Sequence, residues 1–314
     1  MKMTSLKASA LALLMSFTAS ASAADYAVIL KTLNNPFWVD MKQGIEKFAK
    51  EKGIDVDIYA SATEGDMQSQ MRLFEDITNR DYKGIAFAPL SSNNLVTPAI
   101  KAYKKGIHLV NLDERIDIEG MRKAGANVAG FVTTDNVQVG GIGASYIVDT
   151  IAGKKPSKVA IIEGKAGNAS GEARKKGAEQ TFKAAMNVEL VASQPADWDR
   201  MKALDVATNI IQRNPDISAI YCANDTMALG AAQAVRNAGK VNDILVVGTD
   251  GVPEAKKMVA AGKMSATVAQ DPARIGVMGM EILVEAVESG KQIAVDTEPK
   301  MAMVPALLLT KDNL

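Results

Sequence analysis

The sequence predicts an α/β protein with two similar Rossmann-like domains, each built on a parallel sheet. From residue 25 onward, short runs rich in Val, Ile and Ala alternate with longer amphipathic segments. Strands that alternate with helices of this length are typical of right-handed βαβ units. The alternation starts again near residue 158, and a chain of 314 residues suits two domains of about 150 residues each.

The first 23 residues predict a secretory signal peptide. Lys2 and Lys7 provide a basic start, residues 8–17 are mainly apolar, and Ala21-Ser22-Ala23 is a small-x-small cleavage motif. The apolar run is too short to span a hydrocarbon core of about 30 Å. We therefore expect export, with cleavage after Ala23.

The first half should contain four strands separated by three helices. Met41, Ile45 and Phe48 recur at helical spacing, which predicts one buried face on the first of these helices. The predicted strands are Tyr26–Leu30, Val56–Ala60, Gly84–Ala88 and Ile107–Leu112, and the predicted helices are Phe37–Glu51, Asp66–Asn79 and Leu95–Lys104.

The second half repeats this pattern, and a tail follows it. Its predicted strands are Lys158–Ile162, Glu189–Ser193, Ser218–Cys222 and Ile244–Gly248, and its predicted helices are Ala173–Ala185, Met201–Gln212 and Met227–Ala238. The tail offers a strand at Met264–Ala269, a helix at Ile275–Glu288 and a last strand at Met303–Thr310. These surplus elements indicate that the chain crosses back between the domains.

Polar side chains follow four of the predicted strands. Asp113, Asn224, Asp250 and Gln270 each stand where an apolar run ends. Ligands of parallel α/β sheets bind beyond the carboxyl ends of the strands, and carboxylates and amides there can each pair with two hydroxyl groups. The pattern predicts a neutral, hydroxyl-rich ligand such as a sugar.

Two further segments are rich in groups that suit such a ligand. Lys31, Asn35, Phe37 and Trp38 lie between the first strand and the first helix. Aromatic rings can stack on the apolar face of a pyranose, although a hydrophobic staple of the helix explains one of these two rings equally well. In the second half, the candidates are Trp198, for which interdomain packing is the alternative, and Arg174, for which a solvated helix face is the alternative.

Composition argues against several other classes of protein. The sequence has 36 basic and 36 acidic residues, and removal of Lys2 and Lys7 leaves 34 against 36, a net charge of about −2 that gives no reason to expect nucleic acid as partner. One His and one Cys make a zinc site unlikely to form, and His108 lies in a strand without a nucleophile beside it. Cys222 lies in an apolar strand, as a buried, inert thiol would. We expect no metal, no cofactor and no catalytic residues.

Several of these segments resemble the periplasmic binding proteins of ribose-type ABC importers. The resemblance covers essentially the whole chain, and its motifs are Lys31-Thr32-Leu33 with Asn35-Pro36-Phe37-Trp38, Asn111-Leu112-Asp113-Glu114, Gly164–Arg174, Ala196–Arg200, Ala223–Met227 and Gly248–Gly251. It implies a type I periplasmic binding protein fold, in which a three-crossover hinge joins two domains that close on a sugar. We expect the domains to comprise residues 24–132 with 271–298, and 133–270 with 299–314.

The resemblance also implies the site and the partners. The sugar contacts would be Asn35, Phe37, Trp38 and Asp113 from the first domain, Arg174, Trp198, Asn224 and Asp250 from the second, and Gln270 from a crossover. Lys31 stands where ribose binders usually carry a small hydroxyl residue, and Glu114 stands where they usually carry Arg. Both departures resemble the family's allose binders. They imply a hexose, D-allose, with D-psicose or D-ribose as alternatives. A monomer in the periplasm would deliver the sugar to an inner-membrane ABC permease with its cytoplasmic ATPase, and a chemoreceptor is a further candidate partner.

Two rival classes share parts of this pattern. Sugar-responsive repressors of the same fold carry a helix-turn-helix before the first strand, where this chain has the predicted signal peptide. A glycosidase would use two carboxylates that flank a glycosidic bond, and Asp113 and Asp250 are candidates for that pair. A closed site around a monosaccharide leaves no room for a leaving group, so we expect a binding protein and not an enzyme.

Overall fold

The computed structural model describes residues 24–151 and 157–314. The predicted signal peptide, residues 1–23, lies outside the described residues. No helix among the described residues is long and apolar enough to cross a membrane.

The first domain is built on a six-stranded sheet in the order β11-β5-β4-β3-β1-β2, and its described strand pairs are all parallel. Met41, Ile45 and Phe48 form the buried face of the first helix, as predicted, and pack on this sheet. The elements are β1 (Tyr26–Thr32), α1 (Pro36–Lys52), β2 (Val56–Ser61), α2 (Met67–Thr78), β3 (Gly84–Phe87), α3 (Val96–Lys104), β4 (His108–Leu112), α4 (Ile118–Lys123), β5 (Gly130–Thr133) and, after the second domain, α10 (Pro272–Glu288) and β11 (Lys300–Met303).

The second domain repeats this architecture with a sheet in the order β12-β10-β9-β8-β6-β7. Its strands are parallel except for β12, which runs antiparallel to β10. The elements are α5 (Asn136–Thr150), β6 (Ser157–Glu163), α6 (Ala169–Ala184), β7 (Val188–Pro195), α7 (Arg200–Arg213), β8 (Ile217–Cys222), α8 (Asp225–Asn237), β9 (Leu245–Asp250), α9 (Pro253–Ala260), β10 (Ala266–Ala269) and β12 (Leu307–Thr310).

Three connections between described elements pass from one sheet to the other: β5 to α5, β10 to α10, and β11 to β12. The prediction of one strand over Met303–Thr310 was wrong, because two short strands lie there in different sheets. Pro305 separates them, since proline has no N–H to donate to a ladder. Residues 300–303 pair with β5 of the first sheet, so this crossing follows residue 303 and not residue 298 as expected.

Helix α5 was not foreseen in the sequence, because its run Gly140-Gly141-Ile142-Gly143 has low helix propensity. The glycines have a packing role in the contact between α5 and α6. A Cβ at Gly140 would lie 1.9 Å from the carbonyl oxygen of Arg174, and one at Gly177 would lie 2.0 Å from that of Val137. Only residues without a side chain allow these two helices to approach so closely. The close contact fixes the start of α6, which carries part of the site.

Candidate ligand-binding site

A cavity of about 310 Å³ lies between the two domains, at the carboxyl ends of the strands of both sheets. The described residues that line it are Lys31, Asn35, Phe37, Trp38, Glu64, Asp113, Ser170, Arg174, Trp198, Asn224 and Asp250.

Nine of the eleven residues that the sequence nominated lie on this lining. The other two, Glu114 and Gln270, lie behind it: Glu114 contacts Lys31, and Gln270 contacts Asp250. Glu64 and Ser170 line the cavity but were missed. Glu64 follows the end of β2 by three residues. The strand-end rule that found Asp113 would have found Glu64 as well if it had been extended to the third residue after each strand.

The wall formed by the first domain is built on Trp38. Its indole Nε1 donates to Glu64 Oε1 at 2.9 Å, and the Lys31 ammonium lies 5.3 Å from the centre of its ring. Phe37 packs edge-on against the same ring, with centroids 4.9 Å apart. Asn35 caps helix α1 through Oδ1 and donates from Nδ2 to Glu64 Oε1 at 3.1 Å. One carboxylate therefore orients both the indole and the amide.

Asp113 combines an unusual backbone conformation with a buried, unpaired carboxylate oxygen. It has a left-handed φ of 55°, a region that Asp and Asn tolerate better than most residues. Its Oδ2 lies 3.9 Å from Lys31 Nζ, whereas the buried Oδ1 has no hydrogen-bond partner among the described residues. Burial raises the pKa of this carboxyl above its ordinary value, while the charges of Lys31 and Arg174 oppose that rise. An unsatisfied buried acceptor is costly, and a ligand hydroxyl would satisfy it.

Arg174 and Asp250 form the centre of the wall contributed by the second domain. The Arg174 guanidinium donates to Asn136 Oδ1 at 2.8 Å, to the carbonyl oxygen of Ala223 at 2.7 Å and to Asp250 Oδ1 at 3.3 Å. Gln270 Nε2 also donates to Asp250 Oδ1, at 2.7 Å. Burial raises the pKa of Asp250 to about 7, although Arg174 and this hydrogen bond act in the opposite direction. Arg174 is thus buried at the site and not on a solvated helix face.

Trp198 completes this wall above two glycines. A Cβ at Gly164 would lie 2.0 Å from the Trp198 ring, and one at Gly171 would lie 2.9 Å from it. The Arg174 guanidinium lies 5.9 Å from the centre of the ring, which suits a cation–π contact. Trp198 itself has a φ of 65°, a strained backbone for an aromatic residue. The ring therefore occupies space that only glycine leaves free.

Asn224 lies where β8 gives way to helix α8. Its Oδ1 caps the helix by accepting from Met227 N at 2.8 Å. The cap fixes the amide plane, so that Nδ2 is held at the cavity lining as a donor. The helix cap thus uses Oδ1 of the amide, and Nδ2 is left for a ligand.

The one histidine and the one cysteine of the chain do not line the cavity. His108 begins β4, and burial lowers its pKa. Cys222 ends β8 with no exposed surface, and burial raises the pKa of its thiol, which disfavours the reactive thiolate. The described residues that line the cavity offer mainly hydrogen-bonding groups and aromatic rings.

Comparison with known proteins gives matches along nearly the whole chain. A family model described as "Periplasmic binding protein domain" matches residues 26–292. The D-allose-binding periplasmic protein of Escherichia coli strain K12 is 64% identical over 298 residues, which cover 95% of this chain and 96% of that protein. The ribose import binding protein of the same strain is 35% identical over 274 residues, or 87% and 88% of the two chains.

Among solved structures, a periplasmic solute-binding protein of an ABC transporter from Actinobacillus succinogenes 130z, with bound D-allose, superposes with a TM-score of 0.85. It is 34% identical, and the match covers 93% of this chain and 99% of that one. The structural similarity therefore extends over both domains.

Proposed function

Because the chain belongs to the periplasmic binding protein family, we propose that it is the sugar-binding component of an ABC importer and that its sugar is D-allose. The observation that carries the proposal is the cavity, in which three carboxylates, a guanidinium, two amides and two indole rings from two domains surround one space. The names of the E. coli and A. succinogenes relatives support D-allose. D-psicose and D-ribose are the alternative sugars.

Each group has a definite part in this proposal. The carboxylates of Asp113 and Asp250 accept hydrogen bonds from sugar hydroxyls, and Arg174 and Asn224 donate to hydroxyl or ring oxygens. The rings of Trp38 and Trp198 cover the apolar faces of the pyranose. Since both walls come from one chain, a monomer suffices.

Binding would proceed by closure, because neither domain alone surrounds the ligand. The sugar makes all of its contacts only in the closed arrangement and so favours it. We take the moving units to be residues 24–133 with 272–303, and residues 136–270 with 307–314, joined by the three connections. An inner-membrane permease, driven by a cytoplasmic ATPase, would accept the sugar when the domains reopen. We place the mature protein in the periplasm, after removal of residues 1–23 as a signal peptide.

Isothermal titration calorimetry of the purified mature protein tests the sugar assignment. D-allose, D-psicose, D-ribose, D-galactose and D-glucose should be compared under one condition, and D-allose should bind most tightly. Small-angle scattering in parallel should show a smaller radius of gyration with saturating D-allose than without sugar. Tighter binding of another sugar would reject D-allose and retain the import function, whereas no heat with any of the five would reject both.

A further inference from the structure

Glu114 is fully buried but lies behind the cavity lining. Its carboxylate reaches from the first domain to the beginning of helix α6 in the second. Oε1 accepts from Ala169 N at 2.6 Å, and Oε2 lies 2.8 Å from Ser170 Oγ and 3.4 Å from Ser170 N. The residue that resemblance nominated as a sugar contact is thus occupied by protein groups.

The contacts of Glu114 with α6 join the two domains. Away from the three connections, they are the only hydrogen bonds between described residues of different domains; the remaining bonds at the cavity, such as Trp38 to Glu64 and Arg174 to Asp250, join residues of the same domain. Opening of the cleft therefore breaks the bonds of Glu114 and leaves the others in place.

The bonds to Glu114 suit a negative charge. The first N–H groups of a helix have no partner within the helix, and the helix dipole favours an anion there. Asn168 Oδ1 caps α6 from within the second domain, by accepting from Gly171 N at 3.1 Å. Glu114 supplies the acceptors for Ala169 and Ser170. The beginning of α6 is fully satisfied by protein only when the domains are closed.

Lys31 pairs with the Glu114 carboxylate without competing with this role. Its ammonium lies 3.4 Å from Glu114 Oε2, in the same domain. Burial lowers the pKa of Lys31, but the charges of Glu114, Asp113 and Glu64 outweigh that effect and raise it. The ion pair survives opening of the cleft, so the energy that changes on opening is that of the bonds to α6.

We propose that Glu114 is an interdomain latch: it stabilises the closed arrangement through the beginning of helix α6 and makes no contact with the sugar. Because apparent affinity scales with the population of the binding-competent state, the latch strengthens binding of every sugar by the same factor. It also slows dissociation, since the domains must part before the ligand leaves. The inference rests on the proposed function only in using a sugar as probe.

The first test measures D-allose and D-ribose binding to Glu114→Ala and Glu114→Gln. Hydrogen bonds to charged groups contribute about 1.5–3 kcal/mol, so Glu114→Ala should weaken both sugars by a common factor of about ten or more, with faster dissociation and unchanged association. Glu114→Gln keeps a neutral acceptor and should lie between Glu114→Ala and wild type. Glu119→Ala is the matched control, since Glu119 is an exposed glutamate in the first turn of α4, and it should bind like wild type.

The second test needs no sugar. Spin labels on cysteines introduced at Gln68 and Met201, which lie in the first turns of α2 and α7 in the two domains, report the interdomain distance by double electron–electron resonance. Native Cys222 is buried. Glu114→Ala should shift the ligand-free distribution toward longer distances, whereas Glu119→Ala should leave it unchanged.

Three outcomes overturn the latch: loss of one sugar without the other, which would make Glu114 a ligand contact; unchanged affinity for both sugars; or a ligand-free distance that shortens when Glu114 is replaced. If wild type binds neither D-allose nor D-ribose, the D-allose assignment fails, and the ligand-free distances still decide the role of Glu114.

Discussion

Replacement of Asp113 by Asn isolates the contribution of one carboxylate to ligand binding. Asn has the same shape and also tolerates the left-handed φ of 55° found here, so the backbone needs no adjustment. Lys31 keeps Glu114 as a partner at 3.4 Å, so no buried cation is left alone. The substitution thus changes the acceptor strength and charge of a single group at the cavity.

The expected loss follows from the unpartnered Oδ1. A hydrogen bond to a charged group is worth about 1.5–3 kcal/mol, which corresponds to a roughly ten- to hundredfold rise in Kd for D-allose. The melting temperature of the ligand-free protein should not fall, because burial already raises the pKa of this carboxyl and so disfavours its charged form. Titration calorimetry gives Kd, and differential scanning calorimetry gives the melting temperature.

Asp117→Asn is the control for this experiment. Asp117 is exposed and caps helix α4, and Asn caps helices as well as Asp does, so neither binding nor melting should change. A Kd for Asp113→Asn within threefold of wild type, with a folded protein, would refute the assignment of Asp113 to the sugar site.

Three further predictions address other parts of the site. Gly164→Ala should weaken D-allose binding by about tenfold or more, because its Cβ would displace the ring of Trp198, whereas Gly141→Ala, which has room for a methyl group, should not; equal binding by the two variants in titration calorimetry would contradict the role of the ring. Lys31→Ser should weaken D-allose more than D-ribose, since a long polar side chain can pair with the extra hydroxymethyl group of a hexose; parallel losses for the two sugars would make Lys31 a general or structural contact. Affinity should fall as the pH drops below about 7, the pKa to which burial raises Asp250, because protonation removes an acceptor. Kd measured from pH 8 to 5.5 should rise less in Asp250→Asn than in wild type, since Asp113 is then the remaining acceptor whose pKa burial raises; a flat wild-type profile would contradict the prediction.

The part of the site that could be predicted from the sequence is the part that the sheet geometry dictates. Asp113, Asn224 and Asp250 follow apolar strands, and parallel strands bring their carboxyl ends to one edge. Glu64 was missed because it follows the end of β2 by three residues, and the strand-end rule was applied only to residues directly after a strand. Glu114 was nominated by the family resemblance, yet it lies behind the lining that contains Asp113, because neighbouring side chains at a strand end point in different directions.

The backbone of the site adds information that the sequence does not carry. Among the described residues, the four non-glycine residues with positive φ are Asp113, Asp197, Trp198 and Asp250, and three of them line the cavity. Strain of this kind persists only where the surrounding structure enforces it, and it is concentrated at functional sites. A prediction based on local preferences would have placed these side chains elsewhere.

Two effects of domain closure oppose each other. Burial raises the pKa of both Asp113 and Asp250, so closing the domains disfavours the charged form of these two carboxyl groups. The bonds from Glu114 to helix α6 act the other way, since they form only on closure. A hydroxyl-rich ligand removes the first cost by satisfying the carboxylates and leaves the second contribution unchanged. In the proposed function, the sugar therefore shifts the equilibrium toward closure by its interactions with the carboxylates, and the bonds of Glu114 add to that shift.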